Sequence, residues 1–264
     1  MDRGSPNSVR AITEWLAGLT RVDREVALAQ LSRDSRPGVQ RALARFLAHW
    51  EAEERETERL KSLYRLEEEA HRAGYQLVAG VDEAGRGPLA GPVVAAAIIL
   101  PESLLIPGLN DSKKIPEEKR ERLYDQILHQ ALAFGVGRAD PEFIDQHNIL
   151  RATFWAMVQA IRNLPLVPDL VLVDGGFPIR NLALPQRAVI RGDSLSCSIA
   201  AASIIAKVTR DRLMREYDLV YPEYGFSQNK GYGTPEHLAA LTRFGPCPIH
   251  RRSFSWEVAA TREE

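Results

Sequence analysis

Val-Ala-Gly-Val-Asp-Glu-Ala-Gly-Arg-Gly-Pro-Leu-Ala-Gly-Pro, residues 78–92, runs directly into the apolar stretch Val-Val-Ala-Ala-Ala-Ile-Ile-Leu, residues 93–100. A first apolar run, Leu77 to Val81, ends in two adjacent acids, Asp82 and Glu83. The second has β-branched residues at both ends and Pro92 at its first position, where a strand tolerates proline, so it reads as a buried strand. Gly85-x-Gly87-x-x-x-Gly91 has a loose likeness to a dinucleotide fingerprint, but that motif must open a helix. A strand–turn–strand argues against it. Acids at a strand end are poised to hold a hard cation through carboxylate oxygens. Glycines beside them let backbone approach a ligand closely, and Arg86 is the side chain best shaped for phosphate. Taken alone, Asp-Glu-x-Gly is equally an ordinary polar turn. With the arginine and glycines it points to phosphodiester chemistry.

Moving outward, the remaining chain strengthens this reading. Residues 75–264 alternate strand and helix patterns. After the two opening strands come a helix over 116–132, a short strand over 133–138, a helix over 141–164 and a buried strand over 170–173. Another strand over 187–191 and a long helix over 194–217 complete the order β-β-α-β-α-β-β-α. That order predicts a mixed α/β fold, a sheet covered by helices. Residues 1–74 differ. They carry 13 Lys plus Arg and 13 Asp plus Glu with helical periodicity almost throughout. Val9, Ile12, Trp15, Leu16 and Leu19 share one helical face. Val26, Leu28 and Leu31 suggest a second helix. Pro37 can open a third with Val39, Leu43, Phe46, Leu47 and Trp50 as its stripe. From Glu51 through Glu69 the pattern becomes acidic and solvated, as in an exposed connecting helix. The expected domains are therefore a helical extension, 1–74, and a catalytic α/β domain, 75–264.

A net charge of −1 neither requires nor excludes a nucleic-acid partner, because binding depends on a local basic face. Cys197 and Cys247 have neither metal-ligand spacing nor a disulfide framework, and read as thiols in a reducing cytosol. No stretch approaches the roughly 20 apolar residues that span a bilayer. A cytoplasmic monomer without membrane contact is expected.

The segment Val81 to Pro92 resembles the signature of ribonuclease HII, the bacterial type 2 ribonuclease H. The similarity continues through Asp111-Ser112-Lys113-Lys114, Val173-Asp174-Gly175, Gly192-Asp193-Ser194, the run Ser198 to Asp211, Asn229 to Thr234 and His250-Arg251-Arg252-Ser253-Phe254. These blocks follow in family order over about residues 75–257. The resemblance implies a ribonuclease H-like fold with a small all-helical N-terminal extension. It also implies a metal-dependent endonuclease that cuts 5′ of ribonucleotides in RNA–DNA hybrids and in duplex DNA, leaving 3′-hydroxyl and 5′-phosphate ends. Ribonucleotide excision and primer removal during replication are the corresponding tasks.

Asp174 and Asp193 end separate strands, as Asp82 and Glu83 do, and ligands of open α/β sheets gather at strand carboxyl ends. Singly, Asp174-Gly175 is a turn dipeptide and Asp193 could cap the following helix. The resemblance implies that Asp82, Glu83 and Asp174 hold metal and that Asp193 completes the catalytic set. Magnesium or manganese is expected, in a two-metal mechanism. It further implies that Gly85, Arg86 and Gly87 contact the 2′-hydroxyl and neighbouring phosphates, and that Tyr232 packs on the deoxyribose after the ribonucleotide. Lys207, Arg210 and Lys230 are candidate phosphate contacts. Arg251 and Arg252 are weaker ones, since charged C-terminal residues are usually solvated. A ribonuclease HIII-like nuclease is the nearest alternative. That relative has Ser or Thr at the Arg86 position, glutamate as its last acid and strands in its N-terminal domain. A non-catalytic hybrid-binding protein is the other, but it would lack one of the four acids.

Overall fold

The computed structural model describes residues 8–19 and 23–256. Those up to Arg59 form one compact unit and those from Leu60 onward a second.

The first unit is helical: α1 (Val9–Ala17), α2 (Arg24–Leu31) and most of α3 (Pro37–Leu63). Ser8 caps α1 by accepting from the Ala11 amide at 3.2 Å, satisfying one of the orphan donors of a helix start. Ile12, Leu16, Ala27, Leu31, Val39 and Leu43 form its core, with Trp15, Leu19, Leu28, Phe46 and Leu47 packed at the margin. Val9 stays exposed. The side chain of Val26 lies outside the described residues.

The second unit begins earlier than the composition change at residue 74. Leu60 and Leu63 at the end of α3 and Tyr64 just after it join its main core, and Leu66 and Ala70 on α4 (Arg65–Arg72) pack with Val78, Leu170, Leu172 and Ile199. The acidic run is therefore not solvated to its end, and Glu67 is buried. A helix with an apolar stripe, even a short one, is consumed by whichever surface can cover that stripe, and here the α/β unit covers it.

The sheet has five strands in the order β3-β2-β1-β4-β5. They are β1 (Val78–Ala84), β2 (Val93–Ile99), β3 (Ala133–Ala139), β4 (Leu170–Asp174) and β5 (Gln186–Val189). β1 pairs antiparallel with β2 and β2 with β3, while β1–β4 and β4–β5 are parallel. One face carries α5 (Glu117–Gln130) and α8 (Cys197–Val220), the other α6 (Pro141–His147) and α7 (Ile149–Arg162). β1 and β2, covered on both faces, are almost fully buried, as their unbroken apolar runs require.

Several boundaries differ from the sequence expectation: the strand expected over 187–191 ends at Val189, which leaves Asp193 in a turn, and the long helix runs on to Val220. The helix expected over 141–164 breaks at Asn148, whose φ of 70° leaves the helical region and whose side chain caps α7 by accepting from the Leu150 and Arg151 amides. The long helix does not start at Ser194. Gly192–Ser194 is a 3-10 turn, and Ser196 is the cap of α8, its hydroxyl accepting from the Ile199 amide at 3.2 Å. Past α8, two helices that the sequence pattern does not reveal, α9 (Phe226–Asn229) and α10 (Pro235–Phe244), help enclose a small apolar core that includes Tyr224, Phe226 and Leu241. Among the described residues no helix is long and apolar enough to cross a membrane.

Candidate active site

Parallel pairing of β1 with β4 sets Val81 opposite Val173, so the next residues, Asp82 and Asp174, stand abreast at the carboxyl ends of neighbouring strands. Side chains alternate along a strand. Val81 and Val173 belong to the α7 layer, which turns Asp82 and Asp174 to the α8 face. The third strand end reaches them through a glycine. The Gly192 amide donates to Asp174 Oδ1 at 2.7 Å, and a Cβ there would fall 2.5 Å from Ile199 Cδ1 and 3.2 Å from that same oxygen. A glycine lets the β5 loop close on β4 without displacing Ile199 or the Asp174 carboxylate, and it delivers Asp193 beside it. Because Ser196 does the capping, Asp193 is not spent on the helix.

The electrostatics mark these acids as one group. Asp82 is 6 % exposed, and its carboxyl is pushed well above the ordinary carboxylate range, first by burial and then by Glu83, Asp174 and Asp193. Glu83 is also raised, chiefly by burial, although Arg86 Nη1 lies 3.2 Å from its Oε1 and opposes the shift. Burial raises Asp193 too, helped by Asp111 and Asp174 and opposed by Lys113. Clustered acids of this kind resist full ionisation until cations arrive. Among the described residues no three His, Cys, Asp or Glu side chains are grouped so that they could hold a metal ion as they stand. The donor set is nonetheless all hard oxygen, which fits magnesium or manganese and excludes a thiolate-preferring ion.

Sequence reasoning misses Asp111 and Lys113 as neighbours of the site. The signal is there as an acid followed by two lysines, but nothing in it says that this loop faces Asp193. Ser112 between them is buried and fixed by Ser203 Oγ at 2.7 Å, which ties the loop to α8.

Beside the acids, the loop 85–92 is held from beneath by two buried arginines. Arg210 donates to the carbonyls of Pro92, Ala90 and Lys230 at 2.9–3.1 Å. Arg251 donates to Gly85, Arg86 and Gly91 at 2.5–2.9 Å. Both are 1 % exposed or less. The expectation that Arg210 contacts phosphate, and that Arg251 is a weak phosphate contact or simply solvated, is therefore corrected: their donors are spent on loop carbonyls. Burial, and then the neighbouring Arg210, draw the Arg251 guanidinium down to about 9. Gly85, at φ 91°, must lack a side chain, since a Cβ would meet Arg210 Nε at 2.0 Å. Arg252 is exposed.

Tyr232 is 47 % exposed and stands across from Gly87, its ring carbon 3.8 Å from where a Cβ of residue 87 would sit. A chain of donors fixes its backbone. The Cys247 amide donates to His250 Nδ1 at 3.0 Å, so the His250 proton resides on Nε2 and is donated to His237 Nε2 at 3.0 Å. His237 Nδ1–H then donates to the Tyr232 carbonyl at 2.8 Å. Burial lowers both imidazoles, His250 to about 4, in keeping with neutral rings. Lys207 already pairs with buried Asp211 at 2.6 Å, and Lys230 Nζ donates to the Ser227 carbonyl.

The sequence matches two protein-family models, Ribonuclease HII over residues 79–257 and Ribonuclease HII N-terminal domain over residues 8–71. A ribonuclease HII of Desulfitobacterium hafniense is 51 % identical over 248 residues, 94 % of each chain. One from Enterococcus faecalis is also 51 % identical over 248 residues, 94 % of this chain and 96 % of that relative. Among solved structures, the ribonuclease H2 of Pyrococcus horikoshii OT3 superposes with a TM-score of 0.59 at 29 % identity, over 69 % of this chain and 95 % of that one.

Proposed function

The chain belongs to the ribonuclease HII family, an endoribonuclease family, and from that premise we propose that it hydrolyses the phosphodiester 5′ of a ribonucleotide. Its substrates are RNA–DNA hybrids and duplex DNA with embedded ribonucleotides, which suits ribonucleotide excision and primer removal in the cytoplasm. The observation that carries this reading is the convergence of Asp82 on β1, Asp174 at the end of β4 and Asp193 in the turn after β5, beside a glycine-rich loop that faces Tyr232.

Asp82, Glu83 and Asp174 would hold the divalent ions, with Asp193 completing the set. When bound, such ions activate water and stabilise the leaving oxygen. The residues of the chain supply the rest. Gly85, Arg86 and Gly87 form an open edge on which a 2′-hydroxyl, the group that separates RNA from DNA, meets backbone rather than side chain. Arg210 and Arg251 keep that edge from moving. Tyr232 offers a ring across the gap for the sugar that follows the ribonucleotide. Lys230, at the base of the Tyr232 loop, and Lys207 add cationic charge for phosphates.

Incubation with magnesium and a duplex carrying one ribonucleotide tests the proposal. The expected products are a single cut 5′ of the ribonucleotide, a 3′-hydroxyl and a 5′-phosphate. Tyr232→Ala should slow this cut more than cutting inside a long RNA strand. No incision with either magnesium or manganese would end the reading.

A further inference from the structure

Glu67, on α4, lies outside the segment that carries the acids, yet it is 2 % exposed and faces the start of α8. One of its oxygens, Oε1, accepts three hydrogen bonds: from Ser196 Oγ at 2.5 Å, Ser198 Oγ at 2.6 Å and the Ser198 amide at 3.0 Å. The Ser198 amide is a first-turn donor with no partner inside the helix, and a negative charge at that end also suits the helix dipole. Glu67 thus caps α8 from a helix 131 residues away in sequence.

The first turn of α8 is coupled to the acids on both sides. The Leu195 and Ser196 amides donate to the Gly192 carbonyl at 2.9 and 2.8 Å, and the Gly192 amide donates to Asp174 Oδ1. On the other side, α8 lies so close to β1 that a Cβ on Gly80 would come within 2.2 Å of the Ser198 carbonyl carbon, two residues before Asp82. We propose that Glu67 is a positioning residue: it locks the first turn of α8 and thereby sets Asp193 and Asp174 relative to Asp82 for ion binding. The last helix of the N-terminal segment is then part of the catalytic scaffold. The inference rests on the reading that these acids hold divalent ions.

The test uses the full chain and two readouts, direct calorimetric titration with manganese and steady-state incision. Glu67→Ala should weaken manganese binding about fivefold or more and lower kcat at least about tenfold, with KM for the duplex little changed. Glu67→Gln keeps the accepting oxygen, while the second carboxylate oxygen, Oε2, has no hydrogen-bond partner to lose; it should restore most of both. Ser198→Ala removes one of the three bonds and should fall between. Glu69→Ala, which removes only surface ion pairs with Arg65 and Arg187, should match the parent chain. If Glu67→Ala lowers the melting temperature but leaves manganese affinity and kcat unchanged in the folded range, the proposal is overturned. Equal damage from Glu67→Gln and Glu67→Ala would overturn it as well. A parent chain that takes up no manganese would instead sink the metal-site reading itself.

Discussion

At the scale of single residues, Asp82 concentrates the chemistry into one carboxyl. It stands abreast of Asp174 and is held back from ionising first by its burial and then by its acidic neighbours. Such a group is costly to the fold and useful only to a cation. Asp82→Asn keeps the shape and removes one negative charge from the cluster. Incision should fall at least a hundredfold, equivalent to roughly 2.7 kcal/mol of barrier, with hybrid binding retained. Melting of the metal-free variant should occur at a higher temperature than for the parent, since a buried like-charge contact is gone. Incision rates and a thermal melt in chelator check both halves, and near-normal incision at saturating magnesium would remove Asp82 from the site. The histidine pair shows the complementary use of buried titratable groups. His237 and His250 stay neutral and pass a fixed hydrogen-bond direction to the Tyr232 backbone.

At the scale of elements, the glycine-rich loop gets its shape from outside itself. Its carbonyls at Gly85, Arg86, Ala90, Gly91 and Pro92 point inward to Arg210 and Arg251, and the Leu89 amide donates to the Gly231 carbonyl of the Tyr232 loop at 2.8 Å. Two buried guanidiniums without a carboxylate in contact are tolerable because every guanidinium nitrogen finds at least one carbonyl. Arg251→Met keeps the bulk and strands three carbonyls. The expected cost is on the order of 3 kcal/mol of stability, from unsatisfied acceptors at about 1–3 kcal/mol each. The surviving folded protein should lose discrimination for the ribonucleotide before it loses hybrid binding. Denaturant unfolding and incision of matched ribonucleotide and all-DNA duplexes measure this. A variant as stable and as selective as the parent would show the clamp to be idle.

At the scale of the whole molecule, two compact units invite separate tests. Residues 1–50 carry 8 arginines against 5 acids, a local net of +3. A chain beginning at Leu60 should keep its incision chemistry, whereas one beginning at Ala73 lacks Glu67 and should not. If the helical unit touches the duplex, the shorter chain should also show a shallower dependence of log affinity on log salt, by roughly 0.9 for each phosphate that the helical unit neutralises. Binding titrations at several salt concentrations decide the second point, and identical slopes would exclude a phosphate contact by that unit.

Local pattern alone carries a good part of this protein. Unbroken apolar runs mark β1, β2 and β4 as buried strands, and acids at their ends mark Asp82, Glu83 and Asp174. The motif order indicates the family. Local pattern also misleads where two elements share one period, as at Asn148, whose left-handed φ splits an otherwise continuous helical stripe. Which groups meet is a matter for the folded chain. Arg251 reaches Gly85 across 166 residues, and Glu67 reaches Ser198 across 131. In sequence both look like solvated charges, because an acid or an arginine on a helix or near a terminus usually is. Whether such a group is buried depends on the surface folded over it, and that surface is assembled from distant segments that no local pattern specifies.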